Sequence, residues 1–307
     1  MRTVGVDIGG TKLLAVRGDG SGVTRRPTPR GGDEIVAAVA AVVEELGGAD
    51  AVGLGIAGLV DRGGVLRVGP NLPGVIGYGF HDALAARLGV PVAVDNDATT
   101  AMWAEATRGA ARGAADAVLV TLGTGIGGGH VSGGELQRGA HGFAGEPGHM
   151  VVDPNGPLCP CGRRGCWERF ASGSGLGRLG RDAAEAGRAD RVVALAGGDP
   201  EAVRGEHVTA AAAEGDPGAL EVLGDFGWWV ALGIANLVNV LDPEVVVVGG
   251  GLAEAGELLL APVRRHFESL VLAPTYRPAV PILAAELGER AGALGAALLA
   301  EQAAQPG

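Results

Sequence analysis

An apolar strand, a Gly/Thr turn and a second apolar strand occur twice in this chain, and that repetition limits the possible folds more than any other feature. The first copy runs from Thr3 to Ile8, through Gly9-Gly10-Thr11, into Lys12 to Val16. The second runs from Ala117 to Leu122, through Gly123-Thr124-Gly125-Ile126-Gly127-Gly128-Gly129, into another apolar piece. Short apolar runs joined by such turns read as β-hairpins. Repeating the whole unit predicts two related lobes, each offering a phosphate-facing turn at the mouth of a cleft.

The intervening pattern alternates helix and strand. Asp33 to Leu46 places Ile35, Val36, Val39, Val42 and Val43 at helical spacing, and Ala51 to Ile56 reads as a buried strand. A Gly-rich loop over 71–79 leads to a helix from His81 to Leu88 and a strand from Val90 to Val94 that ends at Asp95-Asn96-Asp97. A helix from Ala98 to Thr107 follows. Arg108 to Ala115 is rich in Gly and Ala without periodicity, so the lobe boundary is expected there. Residues 1–108 would form a small lobe, with a C-terminal helix over 293–307 returning to it, and residues 109–292 a large lobe carrying the cysteines. Leu220 to Leu241 is helical until Asp242-Pro243 breaks it, Glu244 to Val248 is a buried strand ending at Gly249-Gly250-Gly251, and Glu289 to Ala300 is helical. This alternation indicates an α/β fold whose ligands sit at the carboxyl ends of strands.

Composition narrows the partners. An apolar content of 47% in 307 residues supports a substantial core, while a formal charge of −11 opposes a polyanion surface. A small-molecule substrate is expected and nucleic acid is not. Asp7 and Lys12 interrupt the first twelve residues, which disfavours a secretory segment and points to the cytoplasm. The apolar run Trp228 to Leu241 is short for a bilayer and carries Asn236 and Asn239, so no membrane segment is expected.

Several residues carry chemistry. Gly-rich turns after strands free backbone N–H groups for an anion, although each alone also reads as an ordinary turn. None is a Walker P-loop or a dinucleotide fingerprint. Lys12 is the chain's only lysine; a role for its compact ammonium and a surviving surface lysine both fit. Asp7 and Asp97 both follow apolar strands, where one carboxylate could orient Mg²⁺ and the other take a proton; strand-end caps fit equally well. Cys159, Cys161 and Cys166, the only cysteines, fall within eight residues and suit three corners of a zinc tetrahedron. His149 is the favoured fourth ligand over His141 and His130. Glu146 and Glu168 flank this loop and could each accept two sugar hydroxyls, or could be surface residues.

Cys159 to Glu168 matches C-x-C-G-x-x-G-C-x-E at every fixed position, and with Val6 to Lys12, Leu122 to Gly129, Gly145 to Met150 and Gly249 to Gly251 it resembles the ROK family of repressors, open reading frames and kinases. The resemblance covers essentially the whole chain. It implies a two-lobed, actin/hexokinase-like (ribonuclease H-like) α/β fold with a cleft between the lobes. It also implies ATP-dependent phosphorylation of a hexose at its 6-hydroxyl, glucose first, with N-acetylglucosamine, mannose or fructose as alternatives.

Carried over by position, Asp97 would be the catalytic base, and Asn71, Asn96, Glu146, His149 and Glu168 would hold the sugar. Asp7, Gly9, Gly10, Thr11, Lys12, Thr124, Gly125, Gly249 and Gly250 would serve ATP and Mg²⁺. His149 would join Cys159, Cys161 and Cys166 on a structural Zn²⁺, which would fix its tautomer. A homodimer or homotetramer is expected. Where many members read E-N-D-A-N this chain has Asp95-Asn96-Asp97-Ala98-Thr99, and the N-L-x-W segment appears as Asn71-Leu72-Pro73-Gly74-Val75. ROK repressors add an N-terminal helix-turn-helix, whereas the first phosphate motif begins here at Val4. A sugar-binding regulator without catalysis is the other rival, disfavoured by Asp97 and Lys12.

Overall fold

The structure, a computed structural model, describes residues 1–72 and 74–305. Pro73 of the 71–79 loop and the last two residues of the helix expected over 293–307 lie outside the described residues. In chain order the elements are β1 (Thr3–Ile8), β2 (Lys12–Arg17), β3 (Val23–Pro27), α1 (Gly32–Glu45), β4 (Ala51–Ile56), β5 (Leu59–Val60), β6 (Leu66–Val68), α2 (Phe80–Leu88), β7 (Val92–Asn96) and α3 (Asp97–Arg108). There follow β8 (Ala117–Leu122), β9 (Ile126–Ser132), β10 (Glu135–Leu136), α4 (Glu168–Ala171), α5 (Gly173–Glu185), α6 (Asp190–Leu195), α7 (Gly205–Ala213), α8 (Pro217–Leu241), β11 (Val245–Gly249), α9 (Glu257–Leu270), β12 (Ile282–Ala284) and α10 (Ala291–Ala303).

The repeat seen in the sequence reappears as topology. One sheet has the order β3-β2-β1-β4-β7 and the other β10-β9-β8-β11-β12, the same permutation counted along the chain. In the first, β1 pairs antiparallel with β2 and parallel with β4, and β4 pairs parallel with β7. Strand β7 begins at Val92, two residues later than expected, because Pro91 has no N–H for the ladder and only its carbonyl joins in, accepting from Val52.

The chain divides into two compact units, one made of Met1–Leu119, Gly129–Gly145 and Glu286–Gly307, the other of Val120–Gly128 with Glu146–Ala285. The first unit thus takes in more than the residues 1–108 and 293–307 expected for the small lobe. Glu105 supplies one physical reason. Its side chain is fully buried at the end of α3 and accepts the amides of Ala110 (2.8 Å), Glu286 (3.2 Å) and Leu287 (2.9 Å), so the chain on both sides is tied to α3.

Within the first unit, α10 lies on the sheet backbone to backbone. A Cβ on Gly5 of β1 would fall 1.8 Å from the Ala293 carbonyl oxygen, and one on Gly53 of β4 would fall 1.8 Å from that of Ala296. On the opposite side, a Cβ on Gly295 would meet the Thr100 carbonyl of α3 at 1.7 Å. Every residue from Ala291 to Ala300 is buried, as expected of a helix apolar all round.

Within the second unit, α8 is the central helix. Asp216 caps it by accepting the Ala219 amide at 2.8 Å, Pro217 opens it, and Asp242 ends it in the left-handed region at φ 45°. At 25 residues it is long and apolar enough to cross a membrane by length and composition, yet 56% of its most apolar window is buried against the rest of the unit. The Trp167 ring stacks into the space left by Gly233, and its Nε1 donates to the Trp229 carbonyl at 2.7 Å.

The strand–helix contact is testable. Gly53→Ala should lower the unfolding free energy by about 1–3 kcal/mol or more, because the methyl has only backbone to displace. Urea unfolding indistinguishable from wild type would contradict the packing described.

Candidate functional site

The parallel strands of the first unit deliver its polar groups to one edge. Register pairs Asp7 with Gly55 and Gly55 with Asp95, so Asp7 and the Asp95-Asn96-Asp97 run leave the sheet at their carboxyl ends. Asn96 is the N-cap of α3, its Oδ1 accepting the Thr99 amide at 3.0 Å. Its Nδ2 donates to Asp97 Oδ1 at 3.0 Å and to the Gly58 carbonyl at 3.1 Å, and the Ala98 amide adds a bond to the same Asp97 oxygen at 2.9 Å. Asp97 is therefore the first residue of a helix, with its carboxylate fixed at one oxygen.

Burial raises both Asp7 and Asp97, and the charge of Asp97 adds to the shift of Asp7. Removal from water, then the charge of Asp97, push Asp7 up to about 7 against the opposing pull of Lys12. Asp97 is raised as well, by burial, while the amides and Asn96 that bond it pull the other way. Both side chains keep a partly exposed edge, so the pair can meet a substrate or a cation. The Gly9-Gly10-Thr11-Lys12 turn is closed by Gly9 N–H to the Lys12 carbonyl (3.0 Å) and by Thr28, whose hydroxyl donates to the Gly9 carbonyl at 2.7 Å. Asn71 packs against it: a Cβ on Gly10 would fall 2.8 Å from Asn71 Cβ. Lys12 Nζ donates to Glu289 Oε2 at 2.8 Å and Arg25 bonds the other oxygen. These bonds, Lys12 first, hold Glu289 down at about 2. Sequence reasoning missed Glu289, for which neither spacing nor motif gives a signal.

The second unit holds the sulfur cluster. The short Pro147–His149 turn presents His149, and a Cβ on Gly148 would fall 2.4 Å from the Ile126 carbonyl, which seats this segment on the start of β9. The cysteine loop folds on itself through Cys159 N–H to Arg163 carbonyl (2.8 Å) and Gly162 N–H to Cys159 carbonyl (2.9 Å). Gly165, at φ 71°, has the Asp153 carbonyl 1.5 Å from where a Cβ would be, so no other residue fits. The Trp167 amide then bonds the Met150 carbonyl at 2.7 Å, joining the two segments.

Ligand atoms of His149, Cys159, Cys161 and Cys166 all lie within 4.8 Å of one another. Cys161 and Cys166 sulfurs are 3.5 Å apart, and Cys159 Sγ is 3.9 Å from His149 Nδ1. Tetrahedral zinc with bonds of about 2.3 Å to sulfur requires sulfur–sulfur separations of about 3.8 Å, so three thiols and an imidazole at these spacings fit that ion. Burial pushes the Cys159 and Cys166 thiols up, whereas the Arg163 amide pulls Cys161 down; a cation at the centre would favour all three as thiolates.

Glu168 links this cluster to the Gly-rich turn of the same unit. Its Oε1 accepts from Cys159 Sγ at 3.0 Å and lies 3.9 Å from His149 Nδ1, and its Oε2 lies 2.9 Å from the Cβ position of Gly125. The Thr124-Gly125 turn is held by Gly123 N–H to the Gly125 carbonyl (3.0 Å). Gly250, at φ 83°, leaves room for the Leu122 backbone, whose carbonyl would be 2.4 Å from a Cβ, so Gly249-Gly250 sits at the end of β8. The Glu146 carbonyl accepts the His149 amide at 3.2 Å. The sequence-expected residues thus form two constellations, Asp7, Gly9 to Lys12, Asn71, Asn96 and Asp97 in the first unit, and Thr124, Gly125, Glu146, His149, the cysteines, Glu168, Gly249 and Gly250 in the second.

The chain belongs to the ROK family, whose model matches residues 3–303. Its fold is of the two-lobed actin/hexokinase-like class. It is similar to a ROK family glucokinase from Streptomyces griseus, solved in complex with glucose and AMPPNP, at a TM-score of 0.87 and 39% identity covering 98% of this chain and all of that one (100%). It is 39% identical over 318 residues to a glucokinase of Streptomyces coelicolor, covering 98% of each, and 39% identical over 311 residues to an N-acetylmannosamine kinase of Citrobacter koseri, covering 98% of this chain and 99% of that one.

The Asp7 carboxyl gives a pH signature. Its folded pKa of about 7 lies above its ordinary 3.8, so the folded state retains a proton that the unfolded state releases. The stability this contributes is complete below 3.8 and is lost as pH rises through about 7; Asp97 acts in the same sense. Between about pH 5 and about pH 8 the melting temperature should fall further for wild type than for Asp7→Asn. Equal falls would show that Asp7 ionises freely.

Proposed function

We propose that this protein transfers the γ-phosphate of ATP to the 6-hydroxyl of glucose. The observation that carries this reading is the full-length likeness to the glucokinase solved with glucose and AMPPNP, at 39% identity. In this reading Asp97 takes the hydroxyl proton. Asn96 Nδ2 and the Ala98 amide both serve Oδ1, which leaves Oδ2 for the sugar, and the raised pKa makes the carboxylate a better base. Asn71, Asn96, Glu146, His149 and Glu168 bind the remaining hydroxyls. Backbone amides at Gly10, Thr11, Thr124 and Gly125, with the Lys12 ammonium, hold the phosphates, Gly9 closes the turn that presents them through its bond to the Lys12 carbonyl, and Gly249 and Gly250 leave room for the adenosine. Mg²⁺ arriving with ATP would be held by Asp7 and would neutralise phosphate charge. Zinc on His149, Cys159, Cys161 and Cys166 supplies rigidity rather than chemistry, keeping His149 and Glu168 in place. We place this activity in the cytoplasm, in a homodimer or homotetramer.

A second reading, phosphorylation of N-acetylmannosamine, is favoured by the equal 39% identity to the Citrobacter koseri kinase. A carboxylate buried against a 2-hydroxyl penalises sugars lacking that donor by roughly 1–3 kcal/mol, so Glu168 favours glucose. One coupled assay across glucose, mannose, fructose, N-acetylglucosamine and N-acetylmannosamine decides the matter. We expect the highest kcat/KM for glucose, with mannose next because its 2-hydroxyl is present but axial. A preference for either acetamido sugar would replace the substrate and keep the reaction. In the same assay Asp97→Asn should lose about 10²–10⁴-fold in kcat while calorimetry still shows sugar binding; wild-type turnover would remove Asp97 as the base.

The zinc assignment is tested by elemental analysis. Purified protein should hold about one zinc per chain, and Cys161→Ser should lose it and raise KM for the sugar. Fully active protein without zinc would refute the site.

A further inference from the structure

Asp95 is buried at 5% exposure and takes no part in the mechanism above. Its Oδ2 accepts from Arg138 Nε, and its Oδ1 accepts the Asn96 amide at 2.9 Å. Asn96 in turn caps α3 and donates Nδ2 to Asp97 Oδ1. A continuous path of hydrogen bonds therefore runs from the Arg138 guanidinium, through the Asp95 carboxylate and the Asn96 residue, to the carboxylate of Asp97.

The arginine is itself held in place. Arg62 donates Nε and a terminal nitrogen to the Gly139 carbonyl at 3.0 and 2.6 Å, and its amide bonds the His141 carbonyl at 3.3 Å. The Ala144 amide closes the turn on the Arg138 carbonyl at 3.2 Å. A buried carboxylate needs a partner of opposite charge, and a planar guanidinium carried on backbone held by these bonds supplies one, its preorganised fork losing less freedom per hydrogen bond than an ammonium would. Any displacement of Asp95 would pass directly to the Asn96 amide at the first turn of α3.

We propose that Arg138 is a positioning residue for phosphoryl transfer, orienting Asp97 through Asp95 and Asn96. The inference rests on the assignment of Asp97 as the base. The arrangement also offers a way to separate positioning from folding. Asp95 and Arg138 line a cavity of about 290 Å³ together with Val60, Asp61, Arg62 and His81, and the Arg138 side chain keeps 33% exposure. Trimming the arginine enlarges that cavity on the side where free guanidinium ion can reach Asp95.

Arg138→Ala, assayed with glucose and ATP, should lose roughly 10–100-fold in kcat with both KM values within about twofold, the mark of a misaimed group rather than lost binding. Guanidinium chloride at tens of millimolar should restore part of kcat, and sodium chloride at the same concentration should not. Wild-type kcat in folded Arg138→Ala, or a loss that guanidinium leaves untouched, would overturn the proposal. Should Arg138→Ala fail to fold, the double variant Asp95→Asn with Arg138→Gln keeps a neutral pair; it should turn over faster than Asp95→Asn alone, and an equal or slower rate would overturn the proposal. Asp97→Asn in the same series tests the base separately, since its retention of turnover removes that assignment whatever Arg138 does.

Discussion

The first unit is organised around a helix laid on a sheet at backbone distance. Gly5 and Gly53 sit in adjacent parallel strands where any side chain would strike α10, and Gly295 removes the same obstacle between α10 and α3. The same helix covers one side of the carboxyl end of β1, where Gly292 leaves only 2.9 Å between its Cβ position and the Asp7 carboxylate. The raised pKa of Asp7 follows from burial more than from any single charge, since desolvation is its largest cause. The helix therefore supplies both the core and the low-dielectric surroundings in which a carboxylate pair becomes reactive.

The second unit shapes its polar groups by different means. Its cysteine loop has no apolar core of its own, and its shape comes from glycines with carbonyls pressed against them and from four ligand atoms brought within one coordination sphere. Glu168 shows the benefit. It opens the four-residue α4, which is too short to hold a side chain firmly by itself, yet Cys159, His149 and the Gly125 turn surround its carboxylate. A loop folded around such a ligand cluster can thus present a polar group without the support of a long helix.

The duplicated strand–turn–strand pattern was legible because apolar runs and Gly/Thr turns report local backbone directly, and it recurs as two sheets of the same strand order. The cysteine cluster was legible for the same reason, its three thiols lying within one loop. Helices α5 to α7 left little trace. In α5, Gly175, Gly177 and Gly180 argue locally against a helix, but Gly175 and Gly180 admit neighbours too close for a Cβ, the Phe170 carbonyl at 2.3 Å and Val208 at 2.7 Å, and Gly177 sits tightly on the Gly205 amide nitrogen at 3.1 Å. Packing overrides propensity there. The partners of Lys12 and of Asp95 were also illegible, because 277 residues separate Lys12 from Glu289 and 43 separate Asp95 from Arg138. Periodicity and spacing carry no information about pairs that only the folded chain brings together.

The single lysine illustrates how such long-range pairing gives a residue its meaning. Lys12 lies close enough to Asp7 to pull its pKa down and is bonded at the same time to Glu289, which Arg25 also holds. One compact ammonium thus stands between a carboxylate pushed up to about 7 and another held down at about 2. An anion approaching the Gly9-Gly10-Thr11 turn would compete with Glu289 for that ammonium, and Arg25 would keep Glu289 charge-balanced once the lysine turned away. Lysine suits such an exchange better than arginine, since a flexible stem and three rotatable donors let it change partners without breaking a fixed fork.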